Sequence, residues 1–188
     1  MKTLGTVKLL DLADWIKESE GEFHKPVGNK VIWEDSEFIV FVSGGNSRND
    51  FHINPGDEVF LQVEGDVRVD LQIDGERVIN PLREGEMLFI PALVPHAPRR
   101  PEGTYGLVVE RKRKPGELDG FAWHCENCNA KIHSVEFQLQ DIVAQFAKKL
   151  EEFDADEAAR TCKQCGQVLQ VYEEFTMDSQ IVPGAQSA

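Results

Sequence analysis

The chain of 188 residues is 41% hydrophobic and carries 11 phenylalanines, enough apolar material for one ordinary domain or one domain with a small appendage. Its formal net charge of −13 argues against a nucleic-acid partner, because affinity for a phosphate backbone comes largely from clustered Lys and Arg. No apolar run approaches the roughly 18 residues a membrane span needs, and the opening stretch MKTLGTVKLLDLADWIKESE is broken by Asp and Lys and lacks a secretory apolar core; a soluble, cytoplasmic protein is expected.

The first predicted element is a helix over 9–18, LLDLADWIKE, with Leu9, Leu12, Trp15 and Ile16 on one face. A Pro/Gly loop, HKPVGN, follows at 24–29. The hydrophobic period then shortens. VIWED, EFIVFVSGG, EVFLQVEG, VRVDLQIDG, ERVINPL, GEMLFIPA and YGLVVERKR are short, rich in Val, Ile and Phe, and divided by Gly, Asp and Asn turns, the pattern of strands. EGD at 64–66 and DGE at 74–76 are hairpin signals. Strands at this spacing predict an antiparallel sandwich or barrel.

The pattern changes again near Lys114. RKPGELDGFAW, 113–123, reads as a linker. Leu139, Ile142, Val143, Phe146, Leu150 and Phe153 recur at helical spacing and predict a helix over about 136–153. After Val171 the chain reads as an acidic and then Gly/Ala/Ser-containing tail. The expected organisation is a barrel over 1–114, a linker and small module over 115–171, and a tail over 172–188.

Two glycine-led stretches carry candidate chemistry. The first runs from Gly45 through His52, Asn54 and Glu58 to Gly65; the second runs from Gly85 through Pro91 and His96 to Arg100. Both resemble the two short motifs of the cupin superfamily, in which His, His and Glu from the first and one His from the second point into a small double-sheet β-barrel. This chain departs from that pattern at Asn54, where a second His is expected, at Leu93, where a Gly is expected, and at Arg100, where an Asn is expected. The remaining His52, Glu58 and His96 form a set of two imidazoles and one carboxylate. Such a set leaves open coordination positions and suits non-haem Fe(II) chemistry with O2.

The four cysteines form two Cys-x-x-Cys pairs, Cys125/Cys128 and Cys162/Cys165. In a chain without an export signal this spacing points to a tetrahedral thiolate metal site before it points to disulfides. Gly166 would let the chain turn tightly beside the metal. Four thiolates suit Zn and Fe equally. With no open position, the site is read as structural. His124 and His133 are read as surface residues beside it.

The combination of these two sites, together with PVGN at 26–29, VIWEDSEFIV, PHAPRRPEG, VVERKR and LDGFAWHCENC, resembles the bacterial 3-hydroxyanthranilate 3,4-dioxygenase family from about residue 10 to 168. The resemblance implies a cupin-type jelly roll with an N-terminal helix and a small four-Cys module containing a helix. It implies Fe(II)-dependent opening of the 3-hydroxyanthranilate ring by O2, giving 2-amino-3-carboxymuconate semialdehyde, the precursor of quinolinate in the kynurenine route to NAD. It places catalytic iron on His52, Glu58 and His96, and a second Fe or Zn on the four cysteines. It places Arg48, Arg100 and Glu110 in catalytic and substrate-side roles, Asn29 and Glu58 beside the substrate, and suggests a homodimer.

The residue chemistry agrees with these roles. An arginine fork matches a substrate carboxylate, and Glu110 could accept a proton from the phenol or amine. Arg99, Arg111 and Arg113 are read as solvated charges. Two other readings are a cupin dioxygenase acting on a related ring or a thiol, and a non-enzymatic cupin that binds a small ligand or stores metal. Consumption of O2 with an aminophenol separates the last from the enzymes.

Overall fold

The computed structural model describes residues 7–33, 35–172, 175–177 and 186–187. Most of the expected tail, and the first six residues of the opening stretch, lie outside the described residues.

Helix α1 spans Leu12–Ser19 and begins later than its periodicity predicts, because the Asp11 carboxylate caps it by accepting from the N–H groups of Ala13 and Asp14. Leu9 therefore lies outside the helix and is exposed, while Ile16 is buried. A short 3-10 turn, Glu20–Glu22, closes the segment.

All seven expected strands form. They are β1 (Asn29–Trp33), β2 (Phe38–Ser43), β4 (Glu58–Glu64), β5 (Val67–Ile73), β6 (Glu76–Leu82), β7 (Met87–Ile90) and β9 (Tyr105–Arg111). Four more were not legible in the sequence: β3 (Phe51–Ile53), β8 (His96–Arg99), β10 (Asp119–His124) and β11 (Lys131–Phe137). A two-residue strand, β12 (Gln186–Ser187), pairs in parallel with β6. One sheet has the order β1-β2-β9-β4-β7 and the other β11-β10-β3-β8-β5-β6-β12. Apart from β12, every pairing is antiparallel. This is a two-sheet jelly roll.

Two expectations are corrected. The stretch read as a linker carries β10, which pairs with β3 on one side and β11 on the other. Its residues 119–123 are all buried, so the strand has no polar face to announce it. The expected boundary at 114/115 thus falls just before a strand that joins a barrel sheet. The helix expected over 136–153 is shorter. α2 spans Ala144–Asp154, because 136–137 belong to β11 and Asp141 caps the helix start by accepting from Val143 and Ala144. Its buried Phe146, Leu150 and Phe153 are the residues that carried the helical pattern. Phe153 stacks on Trp123 of β10 with centroids 4.0 Å apart, which fastens α2 to the sheet. A four-residue helix, α3 (Glu157–Arg160), follows.

Leu93 stands where the cupin pattern carries glycine, and its φ is +67°. The backbone keeps the left-handed turn although the side chain is leucine, at a cost of about 1–3 kcal/mol. The Leu93 N–H donates to the Asn54 carbonyl at 2.8 Å, so the turn ties the segment ahead of β8 to the loop after β3.

Candidate active site and metal centres

Strand alternation aims the candidate residues into one cavity. On β4 and β9, Glu58, Phe60, Val108 and Glu110 share the inner face, with Glu58 opposite Glu110. His96, Pro98 and Arg100 step inward along β8 and its extension, and His52 on β3 pairs directly with His96. Asn29 at the start of β1 and Arg48 ahead of β3 complete the wall, with Ile142 and Phe146 arriving from the C-terminal segment. The cavity therefore brings together all seven sequence-predicted residues of the first constellation.

His52, Glu58 and His96 are each buried, and their ligand atoms lie within 4.8 Å of one another. His96 Nε2 sits 2.8 Å from Glu58 Oε2, close enough for the two atoms to share a proton or to act as two ligands of one cation. Each imidazole has its other nitrogen engaged. His96 Nδ1 lies 3.0 Å from the Val94 carbonyl, and His52 Nε2 lies 2.9 Å from Asp119 Oδ1. Both partners accept hydrogen bonds, so His96 offers Nε2 and His52 offers Nδ1 to the space beside Glu58. Two imidazoles and one carboxylate fit a divalent iron-type ion with open positions.

The electrostatics favour an anionic ligand between the rings. Burial opposes charge on Glu58, but His96 and His52 outweigh it and hold the carboxyl well below its ordinary pKa. Burial also lowers the His52 pKa, only partly opposed by Asp119 and Glu58; for His96 the pull of Glu58 outweighs burial, and the pKa rises. Glu110 is pushed well above the usual carboxylate range by burial and by Glu58 beside it.

Asn54, where the cupin pattern has a further His, is not a vacancy. Its amide donates to Glu58 Oε1 and, at 2.9 Å, to Glu110 Oε2, while its own oxygen accepts from the Gly56 N–H. The two carboxylates are thereby held side by side.

The arginines differ sharply. Arg48 lines the cavity, but its fork is bonded to Asp50 at 2.7 and 2.5 Å, and it lies over the rings of Phe121 and Phe146. Arg100 is fully buried and, among the described residues, makes one bond, Nη1 to Gln62 Oε1 at 2.8 Å, with its Nε and Nη2 left without a partner. Burial alone lowers its pKa to about 10. A buried guanidinium with open donors is costly, about 1–3 kcal/mol or more per unmet group. It is the member of the cavity wall best prepared for an incoming anion.

Of the three arginines read as solvated charges, Arg99 and the Arg113 side chain are buried, while Arg111 stays partly exposed. Arg99 is buried and donates to the carbonyls of Arg48 and Asn49, Arg111 pairs with Glu117, and Arg113 reaches two buried carboxylates, Glu110 and Asp119. Burial opposes charge on both Asp119 and Arg113, but their pairing prevails: the Asp119 pKa is lowered and that of Arg113 raised. Sequence reasoning missed Asp119 and Arg113 because one sits in the supposed linker and the other in a strand-end run of basic residues.

At the second centre the four cysteine sulfurs also lie within 4.8 Å of one another. Cys125–Cys165 and Cys128–Cys162 are 3.6 and 3.7 Å apart. Sulfurs at tetrahedral corners about 2.3 Å from a metal would be roughly 3.8 Å apart. The two turns share one hydrogen-bond pattern. The N–H of Asn129 returns to the Cys125 carbonyl, and that of Gly166 to the Cys162 carbonyl, both at 2.9 Å. Both residues have left-handed φ, +58° and +77°. Gly166 plays the expected part, and Asn129, a residue type that tolerates this conformation, plays it in the first turn. His133 is exposed and His124 bonds the Asn129 carbonyl.

With this geometry in place, comparison with known proteins is decisive. The family model described as "3-hydroxyanthranilic acid dioxygenase" matches residues 4–154. The chain belongs to that family. It is 43% identical over 166 residues to the 3-hydroxyanthranilate 3,4-dioxygenase of Bacillus thuringiensis (strain Al Hakam), covering 87% of this chain and 93% of the relative. It is 39% identical over 166 residues to the protein of the same name from Xanthomonas campestris pv. campestris (strain B100), covering 88% and 94%. Among solved structures, a cupin-2 domain protein from Shewanella frigidimarina aligns with a TM-score of 0.44 and 21% identity, over 55% of this chain and 95% of that one. The fold is of the expected class: mainly β, in two sheets, with small helices and a four-Cys cluster. Among the described residues, no helix is long and apolar enough to cross a membrane.

Proposed function

We propose that this chain opens the ring of 3-hydroxyanthranilate with O2, using Fe(II) held by His52, Glu58 and His96. The observation that carries the reading is the convergence of two buried imidazoles, a buried carboxylate, and a buried arginine with two unmet donors on one cavity. Membership of the family supplies the substrate class. Iron in such a site supplies open positions and the one-electron chemistry that lets triplet O2 react with an electron-rich ring.

The chain's own residues do the rest. Arg100 receives the substrate carboxylate on Nε and Nη2, the two donors left unmet, while Gln62 holds Nη1. Arg48, kept in place by Asp50, adds positive charge to the same wall without offering its whole fork. A Glu110 carboxylate oxygen accepts the proton released as the hydroxyl or amine binds, and Asn54 keeps that carboxylate beside Glu58. Asn29 offers an amide at the rim. Phe146, 5.0 Å from the His52 ring, and Ile142 exclude water from the reacting face. The product is the ring-opened semialdehyde that closes to quinolinate, and the protein works in the cytoplasm.

Replacing Arg100 with methionine tests the orientation. Two charge-assisted hydrogen bonds are each worth about 1.5–3 kcal/mol, so KM for 3-hydroxyanthranilate should rise roughly 100-fold or more. Metal content should be unchanged and the melting temperature equal or higher, since an under-satisfied buried charge is gone. Wild-type KM in this variant would remove Arg100 from the substrate site.

The cysteine cluster is proposed to hold a structural Fe or Zn ion. A second copy of the chain is the proposed partner. On the outer face of the first sheet, Val40, Val109, Val59 and Phe89 form one cross-strand row, and Leu107, Leu61 and Met87 the next. Met87 and Phe89 are exposed on the edge strand β7. This face suits a self-complementary two-fold contact. Light scattering should give twice the chain mass for the wild type and the single mass for Met87→Glu/Phe89→Glu. A wild-type monomer, or a dimer untouched by the pair of glutamates, would count against this face.

A further inference from the structure

Arg113 and Asp119 hold none of the catalytic roles assigned above, although Asp119 accepts from His52. Asp119 is buried at the start of β10, and Arg113, its side chain 6% exposed, follows β9. The Arg113 fork engages Asp119 twice, Nε to Oδ2 at 2.8 Å and Nη2 to Oδ1 at 2.5 Å, and its Nη1 donates to Glu110 Oε1 at 2.5 Å. Asp119 Oδ1 in turn accepts from His52 Nε2 at 2.9 Å. On the far side, Asn54 joins Glu110 to Glu58, whose Oε1 is 3.7 Å from His52 Nδ1. The chain of contacts closes on itself: His52, Asp119, Arg113, Glu110, Asn54, Glu58 and back to His52.

We propose that Arg113 and Asp119 are positioning residues that brace the metal ligand His52 and the substrate-side Glu110 as one unit. The inference rests on iron binding at His52, Glu58 and His96. Its physical basis is separate for each end. A histidine ligand needs its second nitrogen fixed, because the acceptor there selects the tautomer and the ring orientation, and losing such a partner typically weakens metal affinity about 10- to 100-fold. Asp119 is the acceptor for His52, where a backbone carbonyl serves His96. At the other end, a carboxylate bonded by two separate donors has a fixed plane. Arg113 and Asn54 take different oxygens of Glu110, so its orientation toward the cavity is set from both sides. The planar guanidinium is the one side chain that can hold Asp119 by its fork and still extend a third donor to Glu110.

The test is metal affinity, measured by chelator competition on the full chain, with KM and the visible spectrum of the Co(II) form alongside. Asp119→Asn keeps the shape but offers His52 a weaker acceptor. It should bind metal about 10- to 100-fold more weakly, with an altered Co(II) spectrum and the wild-type circular dichroism. Arg113→Lys keeps the charge but loses the fork. It should raise KM and weaken metal binding, whereas a surface role would move neither. Should Asp119→Asn fail to fold, Arg113→Lys decides alone. Wild-type affinity, spectrum and KM in the folded variants would overturn the brace. Full cavity metal in the His96→Ala variant would overturn the iron reading beneath it, a distinct outcome.

Discussion

His96→Ala and Glu58→Gln should each lose the cavity metal and ring-opening activity together, while the cysteine-bound metal stays. A metal stabilises the reacting charge by several kcal/mol, so activity should fall about 1,000-fold or more. The Glu58→Gln variant is the more informative. Its amide oxygen can still accept from Asn54, so the carboxylate network loses charge without losing shape. The metal-free variant should melt within a few degrees of the metal-free wild type. Metal analysis, oxygen consumption and a thermal melt on the same preparation check this. A variant that keeps full metal and full turnover would remove its residue from the ligand set.

The second large effect belongs to the cysteines. Cys125→Ser or Cys162→Ser should destabilise the chain by about 3–5 kcal/mol, because a structural metal contributes its binding energy to folding. At this chain length each kcal/mol moves the melting temperature by about 2–4 °C. The loss should be felt beyond the cluster. Cys125 follows directly on β10, which pairs with β3 at Phe121↔His52, and α2 between the two cysteine pairs presents Phe146 to the cavity. At low temperature the folded variant should still bind iron at the cavity and turn over. A stable variant without activity would instead give the cysteines a direct part in the chemistry. Chelator stripping of the cluster should reproduce the same fall in melting temperature.

The barrel was legible because most of its strands alternate. Glu58–Glu64 and Tyr105–Arg111 each have one buried face, and period-2 patterns survive in the sequence. Three of the four strands that escaped notice have no such signature. β10 is buried throughout most of its length, β3 has three residues, and β8 carries Pro98 in its interior. α2 was found by its apolar stripe but overextended, because β11 also presents Phe137 to the core and the stripe runs through both.

The ligand set was legible for a different reason. His52, Glu58 and His96 are uncommon residue types at fixed distances from glycine turns, so motif resemblance finds them. Asp119 and Arg113 are common types whose meaning depends on partners 67 and 3 residues away. Only the folded chain shows that neither faces water. Arg48 and Arg100 looked alike from the sequence; burial and partners separate a paired guanidinium from an unmet one.

The most direct measurement is oxygen uptake by the wild-type protein after anaerobic loading with Fe(II). 3-Hydroxyanthranilate is added first, then O2, with the absorbance of the ring-opened semialdehyde followed alongside. The account predicts one O2 consumed per substrate opened, in protein carrying iron at the cavity, and none in the Glu58→Gln control. Iron bound at His52, Glu58 and His96 with no oxygen uptake from this substrate would contradict it.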